Sequence, residues 1–87
     1  MPGIARVSVD SAGGIITGPG ISTVRINGKP CSVIGDSVSA HAPGAHISAV
    51  MSSGSSTVFA GGVAVCRAGD LATCGHAATG SSNVFAN

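Results

Sequence analysis

The chain contains no tryptophan, tyrosine, glutamate or glutamine, and its only aromatic side chains are Phe59 and Phe85. Charged residues make up 8% of its 87 positions, against the ~25% usual for a globular domain. Four lysines and arginines with a net charge of +1 cannot build a surface that tracks phosphates, and two phenylalanines make no stacking platform. Nucleic-acid binding is therefore excluded. No apolar run approaches the ~20 residues of a membrane-spanning helix. The segment Met1-Pro2-Gly3-Ile4-Ala5-Arg6 lacks a basic region followed by an apolar stretch. Synthesis in the cytoplasm without an export signal is the expectation.

Hydrophobic residues are 44% of the chain, but many are small: 13 alanines and 10 valines stand beside 14 glycines and 13 serines. Disordered chains are rich in charge and poor in β-branched residues, the reverse of this composition. Alternating Val, Ile and Thr between glycines predict a folded all-β protein, one domain spanning residues 1–87. Three cysteines, Cys31, Cys66 and Cys74, form an odd set without an export signal, which favours free thiols or metal ligation over disulfides. So small a domain with so few large side chains calls for a staple such as a metal or a partner.

One phrase occurs three times: Gly20-Ile21-Ser22-Thr23-Val24, Gly54-Ser55-Ser56-Thr57-Val58 and Gly80-Ser81-Ser82-Asn83-Val84. Turn signals follow two of them, Asn27-Gly28 and Gly61-Gly62, pairs suited to two-residue hairpins because both central residues need φ > 0. The return strand Pro30 to Asp36 then matches Ala64 to Asp70. The third phrase ends with the chain, and its return strand is expected from the N-terminus, Ile4 to Asp10. The prediction is a small pseudo-threefold conical body of three hairpin-like repeats, the third closed by the two terminal strands. All three acidic residues, Asp10, Asp36 and Asp70, take the equivalent position, where turn capping is their expected role.

From each Asp to the next repeat's Val the distance is 14, 22 and 14 residues, so the middle connection is longer. It holds His41 and His46; the last holds Cys74 and His76. If hairpin turns lie at one end of the body, these connections converge at the other. Three imidazoles and one thiolate suit a tetrahedral Zn²⁺, so His41, His46, Cys74 and His76 are the expected ligands of one zinc per chain. Cys31 and Cys66 lie within alternating strands and are expected as small buried hydrophobes. A cysteine-dependent hydrolase or redox enzyme is the alternative, pairing Cys74 with His41 or His76 and orienting the base through Asp70. A chain this poor in bulk has little with which to wall a substrate pocket.

The run Gly20 to Asp36, with Val24, Ile26-Asn27-Gly28, Pro30 and Gly35-Asp36, resembles the PAAR-repeat family, and Gly54 to Asp70 repeats it more loosely. The namesake Pro-Ala-Ala-Arg stands here as Pro30-Cys31-Ser32-Val33 and Ala64-Val65-Cys66-Arg67, and alanine precedes Gly13-Gly14 where a histidine is often found. The resemblance implies a three-sided β cone with zinc near its vertex, a non-enzymatic tip for contractile injection machines. Its base would cap the blunt end of a trimeric β-helical spike, called VgrG in type VI secretion systems or the central spike in phage tails. One copy would sit on each trimer, travel with effectors, and help pierce a target envelope when a sheath contracts. It would reach the target cell from a secretion system or stand in the tail of a phage virion. On that reading the hairpin-turn end supplies the base, with Ile26, Asn27, Gly28, Phe59, Gly61, Gly62 and Phe85 as contacts.

Overall fold

Residues 1–41, 44 and 47–87 are described by the computed structural model. Glycine-punctuated β-branched runs give seven short strands and, among the described residues, no α-helix: β1 (Ser11–Ala12), β2 (Gly14–Gly18), β3 (Ile21–Ile26), β4 (Lys29–Cys31), β5 (Ser37–Val38), β6 (Phe59–Ala60) and β7 (Val63–Ala64). The expected hairpins are present. Strand β3 pairs antiparallel with β4 across Asn27 (φ 54°) and Gly28 (φ 84°), and β6 with β7 across Gly61 (φ 58°) and Gly62 (φ 82°). A third, three-stranded sheet has the order β1-β2-β5. The molecule measures 32 × 24 × 21 Å along its principal axes.

Backbone hydrogen bonds between these elements close a threefold ring. Ala5 N–H donates to the Cys66 carbonyl (2.9 Å), Cys66 N–H to Ser32 (2.9 Å), and Ser32 N–H back to Ala5 (3.0 Å). A second set runs in the opposite sense, from Val7 to Pro30, Ile34 to Ala64 and Ala68 to Gly3. The return segment of the third unit is thus the N-terminus, as the repeat predicts. Its hairpin partner is the other end of the chain: Ile4 N–H meets the Val84 carbonyl at 2.9 Å, and Ala86 N–H meets Pro2 at 3.0 Å.

The rings correct one register. Ile4 takes the place of Cys31 and Val65, not of Pro30 and Ala64, because the first unit has one extra residue in its turn. Asp36 and Asp70 follow the residue they cap, Val33 and Arg67, by three positions, whereas Asp10 follows Arg6 by four. In the two shorter turns a glycine adopts the left-handed conformation, Gly35 (φ 93°) and Gly69 (φ 92°). Ser8 (φ 71°) stands in that position in the first unit, and Val9 is the insertion.

The three aspartates cap these turns and also tie the units together. One carboxylate oxygen of each accepts a backbone N–H of its own turn: Arg6 to Asp10 at 2.9 Å, Val33 to Asp36 at 2.9 Å and Arg67 to Asp70 at 2.7 Å. The other oxygen accepts a donor just ahead of or at the repeat's glycine: Thr79 Oγ1 to Asp10 at 2.8 Å, Gly20 N–H to Asp36 at 3.1 Å, Ser53 Oγ to Asp70 at 3.5 Å. Arg6 and Arg67 add charged contacts to Asp10 (2.8 Å) and Asp70 (2.9 Å). Burial disfavours the charged form of Asp10, but its bonds to Arg6 and Thr79 outweigh this and hold its pKa below the usual carboxylate value.

Around the axis the core is stacked in layers of equivalent residues. Toward the turns lie Ile4, Cys31 and Val65, with Ile26, Ala60 and Ala86; toward the connections lie Ala12, Val38 and Ala72, with Ile16, Met51 and Ala78. A narrow axis cannot hold three large side chains at one level, which is why alanine shares a layer with isoleucine or methionine. This explains the composition: the small residues fill a core of small radius.

Candidate metal centre

At the end opposite the hairpin turns, the connections bring His41, Cys74 and His76 together, their donor atoms all within 4.8 Å of one another. Cys74 Sγ lies 3.6 Å from His41 Nε2. The two imidazoles meet edge to face with centroids 5.0 Å apart and planes at 64°. His41 and Cys74 are half-buried, and His76 is exposed. His46, the fourth expected ligand, lies outside the described residues.

Local structure presents these donors. Ser39 N–H donates to the Ile15 carbonyl at 2.8 Å, anchoring the long connection on β2 just before His41. His41 Nδ1 lies 2.8 Å from the Ser39 carbonyl, which as acceptor selects the Nδ1–H tautomer and turns the Nε2 lone pair toward Cys74. Cys74 and His76 sit on a tight turn, where Gly75 N–H donates to Ala72 (2.9 Å) and Ala72 N–H to the His76 carbonyl (3.0 Å).

The donor set fits zinc. With Zn–N near 2.05 Å and Zn–S near 2.3 Å, a tetrahedral nitrogen–sulfur edge is about 3.6 Å long. The His41–Cys74 separation has that length. Three described donors of soft and intermediate type would leave one tetrahedral position for a further ligand.

Cys31 and Cys66 are apart from this cluster and fully buried in the core layers. Burial pushes the Cys31 thiol up to about 11, helped by the Asp36 charge. It pushes Cys66 up to about 12 against a smaller lowering by the Ser32 hydroxyl. Both stay protonated near neutral pH and serve as apolar filling. Among the described residues, the oxygens of Asp70 accept from Arg67 and Ser53. Among the described residues no pocket is formed.

At the hairpin end Phe59 and Phe85 are 59% and 47% exposed, so neither fills the core. Both sit at the equivalent place, one residue after Val58 and Val84; the first unit has Arg25 there. Gly28 and Gly62 face open space. Gly61 sits against Ile21, and Asn27 donates to Asn83 Oδ1 at 2.8 Å, tying the first hairpin to the third unit. Ile26 differs from expectation. It is buried in the core beneath this face, because β-strand alternation turns it inward where Arg25 turns outward. The sequence reading also missed Gly13 and Gly14, which press on the histidines from the first unit. A glycine pair in one of the two shorter connections was the signal available.

Ring-closed and pseudo-threefold, with nitrogen and sulfur donors gathered at one end and an aromatic turn face at the other, the chain belongs to the small axial β domains. Residues 8–79 match the PAAR motif, which covers most of the chain. The protein belongs to the PAAR family, a family of structural spike-tip proteins, and the match suggests a spike-tip role in secretion or phage systems. A search among curated proteins finds no match.

Proposed function

We propose that this protein is a zinc-stabilised pointed tip that caps the blunt end of a trimeric β-helical spike, VgrG-like or the central spike of a phage tail. The single observation that carries the reading is the cyclic backbone hydrogen-bonding of Ala5, Ser32 and Cys66. A monomer with threefold backbone symmetry can match a trimer's axis, which an asymmetric fold cannot do. The same rings set the metal candidates at one end and Phe59 and Phe85 at the other, so contact with a spike and contact with an envelope fall to opposite faces.

Zinc held by His41, Cys74 and His76 would supply cross-linking, not chemistry. The connections they join place Val38, Met51, Ala72 and Ala78 in the core layer beneath, and metal binding free energy would add to that packing as folding stability. Phe59, Phe85, Asn27, Gly28, Gly61 and Gly62 form the docking face, with open strand edges able to continue the partner's strands. Pressed onto a spike, the domain would be carried into a target envelope by sheath contraction, as part of a secreted assembly or of a virion.

Two measurements test this reading. Native mass spectrometry of the purified protein is expected to give one zinc per chain, lost on chelation together with a drop in Tm. Phe59→Ser with Phe85→Ser is expected to keep the wild-type melting behaviour and to abolish capping of the spike encoded with it. Wild-type capping by the double variant would remove this face from the interface.

A further inference from the structure

The first unit gives no donor to the centre, yet its turn touches both imidazoles. A Cβ built on Gly13 would enter the His76 ring at Cδ2, lying 2.7 Å from Cγ, and would stand 2.6 Å from His41 Nε2. A Cβ on Gly14 would run into the Ser39 carbonyl oxygen and stand 2.8 Å from both His41 Nδ1 and Ser39 Oγ. Contacts under 3.0 Å are not sustained by real side chains, so something must move. At Gly13 the moving parts are the rings themselves. At Gly14 they include the backbone carbonyl that fixes the His41 tautomer.

We infer that the Gly13-Gly14 turn is the positioning element of the His41/Cys74/His76 centre: bare backbone from one unit acts as the mould against which donors from the other two are set. The inference rests on the metal reading above. Two rings from separate connections abut one turn, and that common support holds their centroids at 5.0 Å. Any side chain there forces the imidazoles outward and lengthens the 3.6 Å separation of His41 Nε2 from Cys74 Sγ. Outer-shell supports of this kind shift metal affinity by about 10–100-fold when altered.

Two different backbone conformations separate crowding from strain. Gly13 has φ +87°, where any L side chain is strained, but Gly14 has no positive φ, so Gly14→Ala introduces contact alone. Gly69 is the matching control: φ is +92° and nothing lies within 4 Å of its Cβ.

The experiment measures zinc affinity of the full chain by competition with a chromophoric chelator, and the visible spectrum of the cobalt(II)-loaded protein. Gly13→Ala and Gly14→Ala are each expected to bind zinc about 10–100-fold more weakly than wild type. Their cobalt bands should lose the intensity of a tetrahedral site, while Gly69→Ala keeps wild-type affinity and spectrum despite lower stability. In the metal-free protein, nitrogen NMR is expected to show His41 as the Nδ1–H tautomer in wild type and as a mixture in Gly14→Ala. Unchanged affinity and spectrum in both site variants overturns the inference, as does an equal loss in Gly69→Ala. If wild type itself takes up no zinc, the metal reading falls and the inference with it, a result distinct from loaded wild type beside equally loaded variants.

Discussion

Between the hairpin turns and the aspartates, the three units share one pattern of backbone hydrogen bonds and differ in length by a single residue, Val9; beyond the aspartates their lengths diverge. Six, fifteen and eight positions separate Asp10 from Ile16, Asp36 from Met51 and Asp70 from Ala78. Yet Ile16, Met51 and Ala78 make the same pair of backbone bonds, each donating to its aspartate's carbonyl and accepting from Ser8, Gly35 and Gly69 respectively. Apart from the single-residue insertion at Val9, the body therefore varies only in what fills its layers, because every ring bond needs all three units in register. The apex is free of that demand. Its three connections can specialise, one as donor-free backbone, one bringing His41, one bringing Cys74 and His76.

Removing core volume should break the body without regard to metal. Met51→Ala removes one of the two large side chains, Ile16 and Met51, of its layer; Met51 is 1% exposed, and the change is expected to cost about 2–5 kcal/mol. Urea denaturation with zinc and with chelator should give the same loss, and a loss seen only with zinc would mean that the apex, not the layer, holds Met51.

Apical variants should do the opposite. His41→Ala, Cys74→Ser and His76→Ala are expected to melt like wild type in chelator and to lose the stabilisation added by zinc. For a zinc concentration a hundredfold above Kd that term is about 2.7 kcal/mol. A zinc-dependent rise in Tm that survives His76→Ala would remove that residue from the centre.

The aspartate tier divides the two regions and should respond to acid. Because Asp10 has a lower pKa folded than unfolded, its contribution is fully present above the unfolded value of about 3.9. It is lost as pH falls through the lower, folded value. Wild-type stability is expected to drop below about pH 4 more steeply than that of Asp10→Asn, which should already be less stable at pH 7. Parallel pH profiles would show that Arg6 and Thr79 do not favour the ionised form.

The smallest effect sharpens the threefold register. Ser8 occupies a left-handed conformation that Gly35 and Gly69 adopt elsewhere. That conformation costs an L residue about 1–2 kcal/mol, and glycine's greater unfolded-state freedom returns about 0.5–1. Ser8→Gly is therefore expected to stabilise the protein by up to ~1 kcal/mol, read from the denaturation midpoint.

Much of this was legible in the chain because the repeat marks its own boundaries. Asn27-Gly28 and Gly61-Gly62 state their turns chemically, and the three aspartates mark the tier where units meet. The meeting of Cys74 with His41, 33 positions apart, followed from the repeat geometry and not from any local spacing. What the sequence hid was one-residue detail. Val9 shifts the first unit's register without altering its hydrophobic pattern, and the burial of Ile26 depends on strand alternation at a hairpin corner. Gly13 and Gly14 were hidden for another reason: the pair is plain in the chain, but which rings its missing side chains admit is fixed only by the fold.

The pairing of Ile4 with Val84 joins residues eighty positions apart, and the third hairpin-like unit is not closed until that pair forms. Closing so long a loop precedes most of the reward, so assembly should be slow for a chain of this length, in the millisecond-to-second range typical of non-local β topologies. A nascent chain would hold two hairpins in place and wait, with the third side of its turn-end layer open to water, until the segment Val84 to Ala86 had been synthesised.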